Sequence, residues 1–199
     1  MCSGNSARSV AAEHLANKYW SDRANFMSAG TNVRRSRPKE GVITALKDGA
    51  MIELPDDLQC RTLFDVLDQQ FPKDPGESLV CCTSGRLAAV IVLCCKALED
   101  CPNIEDRLPQ DCTLIKEILK GPMEMMDGVH GGGAGFCSLE GGCDSVLHAT
   151  KVDKGLFCRT DAEAAVFSEF VSNMDGWVKS ALPAIIPSVL ALPDAVHAV

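Results

Sequence analysis

The chain has 199 residues, a formal net charge of −8 and 46% hydrophobic residues. That is enough chain and enough apolar side chain for one domain with its own core. The acidic balance argues against a general role on nucleic acid or a membrane surface, so an anionic ligand requires a local positive site. No run of about 18 uninterrupted apolar residues occurs, so no transmembrane helix is expected. Met1 is followed at once by a polar, glycine-bearing loop and not by the apolar run of a signal peptide.

Residues 2–9, Cys2-Ser3-Gly4-Asn5-Ser6-Ala7-Arg8-Ser9, form the loop. Residues 10–19 then read as a helix, with Ala11, Leu15 and Tyr19 along one face at i, i+4 spacing. Residues 25–29 are a short strand candidate ended by Gly30. Pro38 fits a first helical turn, and Val42, Ile43 and Leu46 supply the apolar face of a helix to about Asp48. Residues 61–70 read as another helix. The apolar runs 78–82 and 88–94 suit buried strands, and the second suits a buried helix equally well, because periodicity does not separate the two. Residues 113–120 look helical, and 128–136 are glycine-rich. Residues 161–182 read as a helix with Val166, Phe170, Met174 and Trp177 as core positions. The segment from Pro183 carries Pro187 and Pro193 and no regular period. Strands alternating with helices predict an α/β fold with a parallel sheet flanked by helices.

The chain contains 11 cysteines. The number is odd and no secretion signal accompanies it, so a cytoplasmic chain with mostly reduced thiols is expected. Cys60, Cys81 and Cys112 read as small buried apolar residues.

Cys2 and Arg8 bracket five residues in the pattern Cys-x5-Arg. Such a loop closes around a tetrahedral oxyanion, with its backbone N–H groups turned inward and the positive end of the following helix added to them. The arginine supplies a planar bidentate clamp that lysine cannot. The same groups favour a thiolate, so Cys2 is the expected nucleophile. Ser3, Gly4, Asn5, Ser6, Ala7, Arg8 and Ser9 are the expected oxyanion-binding set. In it Gly4 lets the backbone approach the anion, Asn5 bridges loop carbonyls and Ser9 offers a hydroxyl to the sulfur.

The stretch from Cys2 to Glu13 resembles the signature of the low-molecular-weight protein tyrosine phosphatase family. Ser28-Ala29-Gly30-Thr31 resembles the segment after that family's second strand, and Arg37-Pro38 its next motif. The resemblance covers about residues 2–50. Val90-Ile91-Val92-Leu93-Cys94, followed by Cys101-Pro102, is similar to the redox segment of the family's thioredoxin-coupled arsenate reductases. The alternative for this segment is an apolar strand that happens to end in cysteine. The resemblance implies a phosphatase-like α/β fold and reduction of arsenate to arsenite. Cys2 attacks arsenate, Cys94 attacks the adduct, Cys101 resolves the mixed disulfide, and thioredoxin reduces the Cys94–Cys101 bond. Asp161 stands where the family carries its general acid, with Ala162 in place of the usual proline; the alternative is a simple helix cap. Asp153 and Asp144 are weaker candidates.

Two departures accompany the resemblance. The family places a β-strand before its loop cysteine, whereas this sequence begins at the loop, which leaves the neighbouring strands and the loop without that anchor. Residues 103–158 also read as a long insertion in a domain spanning 1–182, with 183–199 as a proline-containing tail. Cys137, Cys143, His148 and Cys158 in the insertion match no tight zinc spacing, so neither a metal site nor a cofactor is expected. Residues 82–86, Cys-Thr-Ser-Gly-Arg, space cysteine and arginine too closely for a second oxyanion loop and read as a turn. Three functions remain open. They are an arsenate reductase with thioredoxin as partner, a protein tyrosine or small phosphomonoester phosphatase, and a non-catalytic thiol-rich remnant that binds trivalent arsenic or metal.

Overall fold

A computed structural model describes residues 1–70, 87–110, 112–122, 125 and 161–190. The readings made for 78–82, 82–86 and 128–136, and for Cys81, Cys137, Cys143, Asp144, His148, Asp153 and Cys158, fall outside the described residues. The elements in order are α1 (Arg8–Trp20), α2 (Glu40–Ala50), α3 (Leu63–Gln70), β1 (Ala89–Val92), α4 (Cys95–Asp100), β2 (Thr113–Lys116), α5 (Asp161–Ser180), α6 (Leu182–Ile185) and α7 (Pro187–Leu190). The result is a mixed α/β architecture in which β1 and β2 pair in parallel, Ala89 opposite Thr113 through Val92 opposite Lys116.

Strand β1 sorts its side chains by the period of two that a pleated strand imposes. Ala89 and Ile91 meet the core built by Leu15, Val42, Leu46, Phe170, Met174 and Val178 from α1, α2 and α5. Val90 and Val92 meet the opposite core, where Leu63, Val66, Leu67, Ala97 and Ile104 gather. Helices therefore cover both faces, as a buried parallel sheet requires.

Between these faces Met1 and Cys2 act as a two-residue strand. The Met1 N–H group donates to Ile91 O, and Met1 O accepts from Leu93 N at 2.7 Å. On the other side Cys2 N donates to Ala29 O at 3.2 Å and Cys2 O accepts from Thr31 N at 3.3 Å. Parallel bridges then run from Cys2 to Gly30 and from Gly30 to Thr62. The loop expected to lack an anchor is thus held by ladder bonds on both sides. A cleft of about 560 Å³ is lined by Met1 and by residues of 24–27 and 87–91.

Several elements differ from expectation, each for a local reason. Residues 113–116 form a strand instead of a helix. Thr113 and Ile115 are β-branched, and β1 offers them a ladder edge that eight residues of weak helical period cannot match. Residues 25–29 form no strand. The Phe26 backbone bonds the Asn17 side chain, accepting from Nδ2 at 2.8 Å and donating to Oδ1 at 3.0 Å, so α1 takes the groups a ladder would use. Helix α3 starts at Leu63, behind a reciprocal cap in which Asp65 N donates to Thr62 Oγ1 and Thr62 N to Asp65 Oδ2. On α5 the core row is Val166, Phe170, Met174 and Val178, all buried. Trp177, placed in that row by sequence, is only partly buried. Residues 183–190 carry a helical period after all. Leu182, Ile186 and Leu190 are buried at spacings of four, and Pro183 and Pro187 sit in first turns where a missing N–H costs nothing.

Candidate oxyanion loop and its thiols

The loop runs from the ladder at Met1–Cys2 into the first turn of α1. Asn5 sits in the left-handed region at φ 46°, a conformation asparagine tolerates better than most residues. It follows Gly4, so successive N–H groups can converge on one point, the geometry of an anion nest. Asn5 is 1% exposed. Its side chain does not bridge loop carbonyls as expected. Nδ2 donates to Ser9 Oγ at 3.0 Å, and Oδ1 accepts from Arg61 N at 2.6 Å. Ser9 Oγ also lies 3.1 Å from the Cys2 sulfur, within reach for its hydroxyl to donate to a thiolate there.

Cys2 is buried, and burial alone raises a thiol's pKa. Here the Ser9 hydroxyl, the Ser9 N–H and the Arg8 charge outweigh it and hold Cys2 below the ordinary thiol value. Arg8 opens α1, and its Nη1 donates to Leu119 O at 2.9 Å, which orients the guanidinium from the segment after β2. Lys39 N donates to Ser6 O at 2.9 Å and Asn32 N to Ser3 O at 2.8 Å, so the outer rim of the loop is pinned as well. Ala7 precedes α1 without a side-chain cap. The first N–H groups of α1 remain directed toward the loop.

A Cβ added at Gly4 would meet only Ser6 Oγ at 3.4 Å. The glycine the loop needs is Gly30. A Cβ there would stand 2.6 Å from Ser3 O and 2.8 Å from Asn5 N, both backbone atoms.

The structure brings Cys94 to this loop. Ser3 N donates to Cys94 Sγ at 3.2 Å. Cys94 is buried at the N-cap of α4, and Cys101 is half-buried at its C-cap; both are free thiols. Burial raises the Cys94 pKa, with the nearby Cys2 adding to the rise. Helix α4 spans 6 residues, about 9 Å at 1.5 Å per residue. A disulfide needs Cα atoms roughly 4.4–6.8 Å apart, so Cys94 and Cys101 are held apart while α4 stands. Asp161 is the first residue of α5, and its side chain lies outside the described residues. Cys60 is half-buried, with a pKa raised to about 11 by burial and by Cys2.

Three residues of the site escaped the sequence reading. Asp100 accepts from Ser3 Oγ at 2.5 Å, with Lys96 Nζ 3.5 Å from its other oxygen, and so ties the C-terminal end of α4 to the loop. Glu13 and Arg61 pair at 2.8 Å behind the loop, and Ser28 donates to the same carboxylate. Glu13 stood in the quoted signature without a role. Nothing in the local sequence marks Arg61, whose backbone also accepts from Gly30 N at 2.9 Å. Among the described residues no cluster of His, Cys, Asp and Glu is gathered to hold a metal, and no helix is long and apolar enough to cross a membrane. No family model matches the chain, and no curated protein matches it.

Proposed function

We propose that the protein reduces arsenate to arsenite on a phosphatase-like α/β fold, with Cys2, Cys94 and Cys101 as a thiol relay recycled by thioredoxin. The observation that carries this reading is the hydrogen bond from Ser3 N to Cys94 Sγ. It puts a second free thiol against the backbone next to the nucleophile, where phosphate-ester hydrolysis has no use for one. The loop N–H groups and Arg8 hold the oxyanion. The Cys2 thiolate attacks arsenic, and an arsenate oxygen leaves as water, with Asp161 as the proposed proton donor. The Cys94 thiolate then attacks Cys2 Sγ. The sulfur–arsenic bond breaks, its electron pair stays on arsenic, and arsenite departs. Cys101 attacks Cys94 Sγ, which frees the Cys2 thiolate and leaves a Cys94–Cys101 disulfide. Thioredoxin's dithiol supplies the two electrons that restore it. Because α4 separates the two cysteines, that last bond requires α4 to unwind.

A phosphatase using Cys2, Arg8 and Asp161 alone is the competing reading, and one experiment separates them. One equivalent of arsenate, in the absence of thioredoxin, is expected to yield a Cys94–Cys101 disulfide in peptide mass spectra. Cys101→Ser is expected to stall with Cys2 bonded to Cys94. Both cysteines still reduced, in protein whose Cys2 is reactive and which hydrolyses a phosphate ester, would favour the phosphatase. The pKa shifts give a prior check by alkylation. A lowered pKa makes the thiolate abundant at lower pH, and a raised one delays it. As pH rises from acid, Cys2 should label before an ordinary thiol and Cys94 after it, with arsenate or phosphate protecting Cys2.

A further inference from the structure

The oxyanion loop is wrapped from outside by residues 31–39. Asn32 N donates to Ser3 O at 2.8 Å and Lys39 N to Ser6 O at 2.9 Å, so this segment follows the rim from one side of the loop to the other. It is held at two further points. Ser36 O accepts from Cys60 N at 2.7 Å, and Pro38 is buried. Between these anchors stand Arg34, Arg35 and Arg37, all exposed. With Lys39 they make four cations in nine residues that contain no carboxylate. Among the described residues neither Arg35 nor Arg37 makes an ion pair. The next acid along the chain is Glu40, the first residue of α2. Beyond it, Glu53 pairs with Lys47 at 3.0 Å and Asp56 acts on the same lysine, in the last turn of α2. Burial and Cys2 raise the Cys60 thiol pKa, and Arg35 opposes them, so Arg35 and Cys2 act on a common neighbour.

We propose that Arg34, Arg35 and Arg37 form a capture collar, which draws small anions to Cys2 and selects them over neutral molecules of the same size. Arg8 and the loop N–H groups hold the bound anion, whereas the collar acts before contact and touches no reacting atom. The need for it follows from the formal charge of −8, which repels an oxyanion dianion at long range. Salt confines that repulsion, because the Debye length is about 10 Å at 0.1 M. Inside that distance the local charges decide the field, and the collar's charges are the ones fixed along the rim. Arginine stays charged at every working pH. Exposed and hydrated, the three side chains raise the rate of encounter more than the affinity. The proposal rests on Cys2 as the reactive thiol of the loop and on none of the later steps of the relay.

The test compares two alkylating reagents on the full chain. Iodoacetate and iodoacetamide are alike in size and differ by one negative charge. Modification of Cys2 is followed by peptide mass spectrometry, and the ratio of the two rates cancels any change in the thiolate population. With Arg34→Gln, Arg35→Gln and Arg37→Gln combined, the ratio is expected to fall roughly tenfold at about 0.01 M salt. It should rejoin the parent's value at about 1 M, where the Debye length is about 3 Å. Lysine at the same three positions keeps the charges and is expected to keep the ratio. A second triple, Lys18→Gln, Lys47→Gln and Lys179→Gln, removes equal charge from the last turns of α1, α2 and α5 and should leave the ratio almost unmoved. A ratio untouched by the first triple overturns the proposal. An equal fall in both glutamine triples overturns it as well, by making the effect one of net charge. Loss of the ratio in the lysine chain overturns it by requiring the guanidinium shape instead of its charge. If iodoacetamide fails to modify Cys2 of the parent chain, Cys2 is not the nucleophile and the collar falls with it; every other outcome leaves the reading of Cys2 intact.

Discussion

The two faces of the sheet are built differently. On one, α1, α2 and α5 form a thick layer around Phe170, Leu15 and Leu46, and helix α2 meets α5 so closely that a Cβ on Gly41 would stand 2.3 Å from the Phe167 ring. On the other, the short helix α3 supplies Leu63, Val66 and Leu67, and α4, 6 residues long, buries Ala97 alone. The thick face carries Arg8 and the helix N-terminus, groups that the proposed reaction needs to hold still around an anion. The thin face carries Cys94 and Cys101, which the proposed relay requires to meet. A helix this short has little stability of its own, and the bonds from Ser3 to Cys94 and Asp100 tie both its ends to the loop. The difference teaches that the loop lies on the boundary between a deeply packed layer and a thinly packed one.

The comparison can be broken most directly in the cores. Phe170→Ala on the thick face is expected to cost about 3–5 kcal/mol in urea unfolding, whereas Ala97→Gly in α4 is expected to cost about 1 kcal/mol. Equal costs would mean that the faces are not unequal as described. Next in size is Arg8→Lys. It keeps the charge and loses the planar fork, and turnover should fall by roughly 10²-fold or more with the unfolding midpoint almost unmoved. Near-normal kinetics would remove the oxyanion cradle. The smallest effect sharpens the boundary itself. Asp100→Asn weakens the charged acceptor for Ser3, and α4 should open more readily. Oxidised dithiothreitol is then expected to form the Cys94–Cys101 disulfide up to roughly tenfold faster, while Cys2 labelling keeps its pH profile. An unchanged oxidation rate would show that Asp100 does not restrain the helix.

How much of this was legible in advance depended on where each signal lay. The loop was legible because Cys2, Arg8 and Ser9 are close in sequence, and the local turn alone brings Ser9 Oγ to the sulfur. Helices α1, α2 and α5 were legible because their apolar residues recur at helical spacing over many turns. β2 was not, since four residues carry too little period to separate strand from helix until β1 supplies an edge. Asp100 and Arg61 were illegible as site residues. Each reaches the loop across a long separation, and neither has a neighbour that announces it.

The sequence by itself determined the chemistry on offer: a cysteine, an arginine and a glycine-bearing turn at the head of a helix, with two further cysteines flanking a short polar segment. Those properties are local, set by backbone conformation and side-chain type within a few residues. Only the tertiary structure decided which of these groups meet. It brought Cys94 to Ser3 and made Gly30 a position where a side chain cannot fit. Such outcomes follow from ladder pairing and packing between distant segments. Those interactions are cooperative and nonlocal, and no short window of sequence contains both partners.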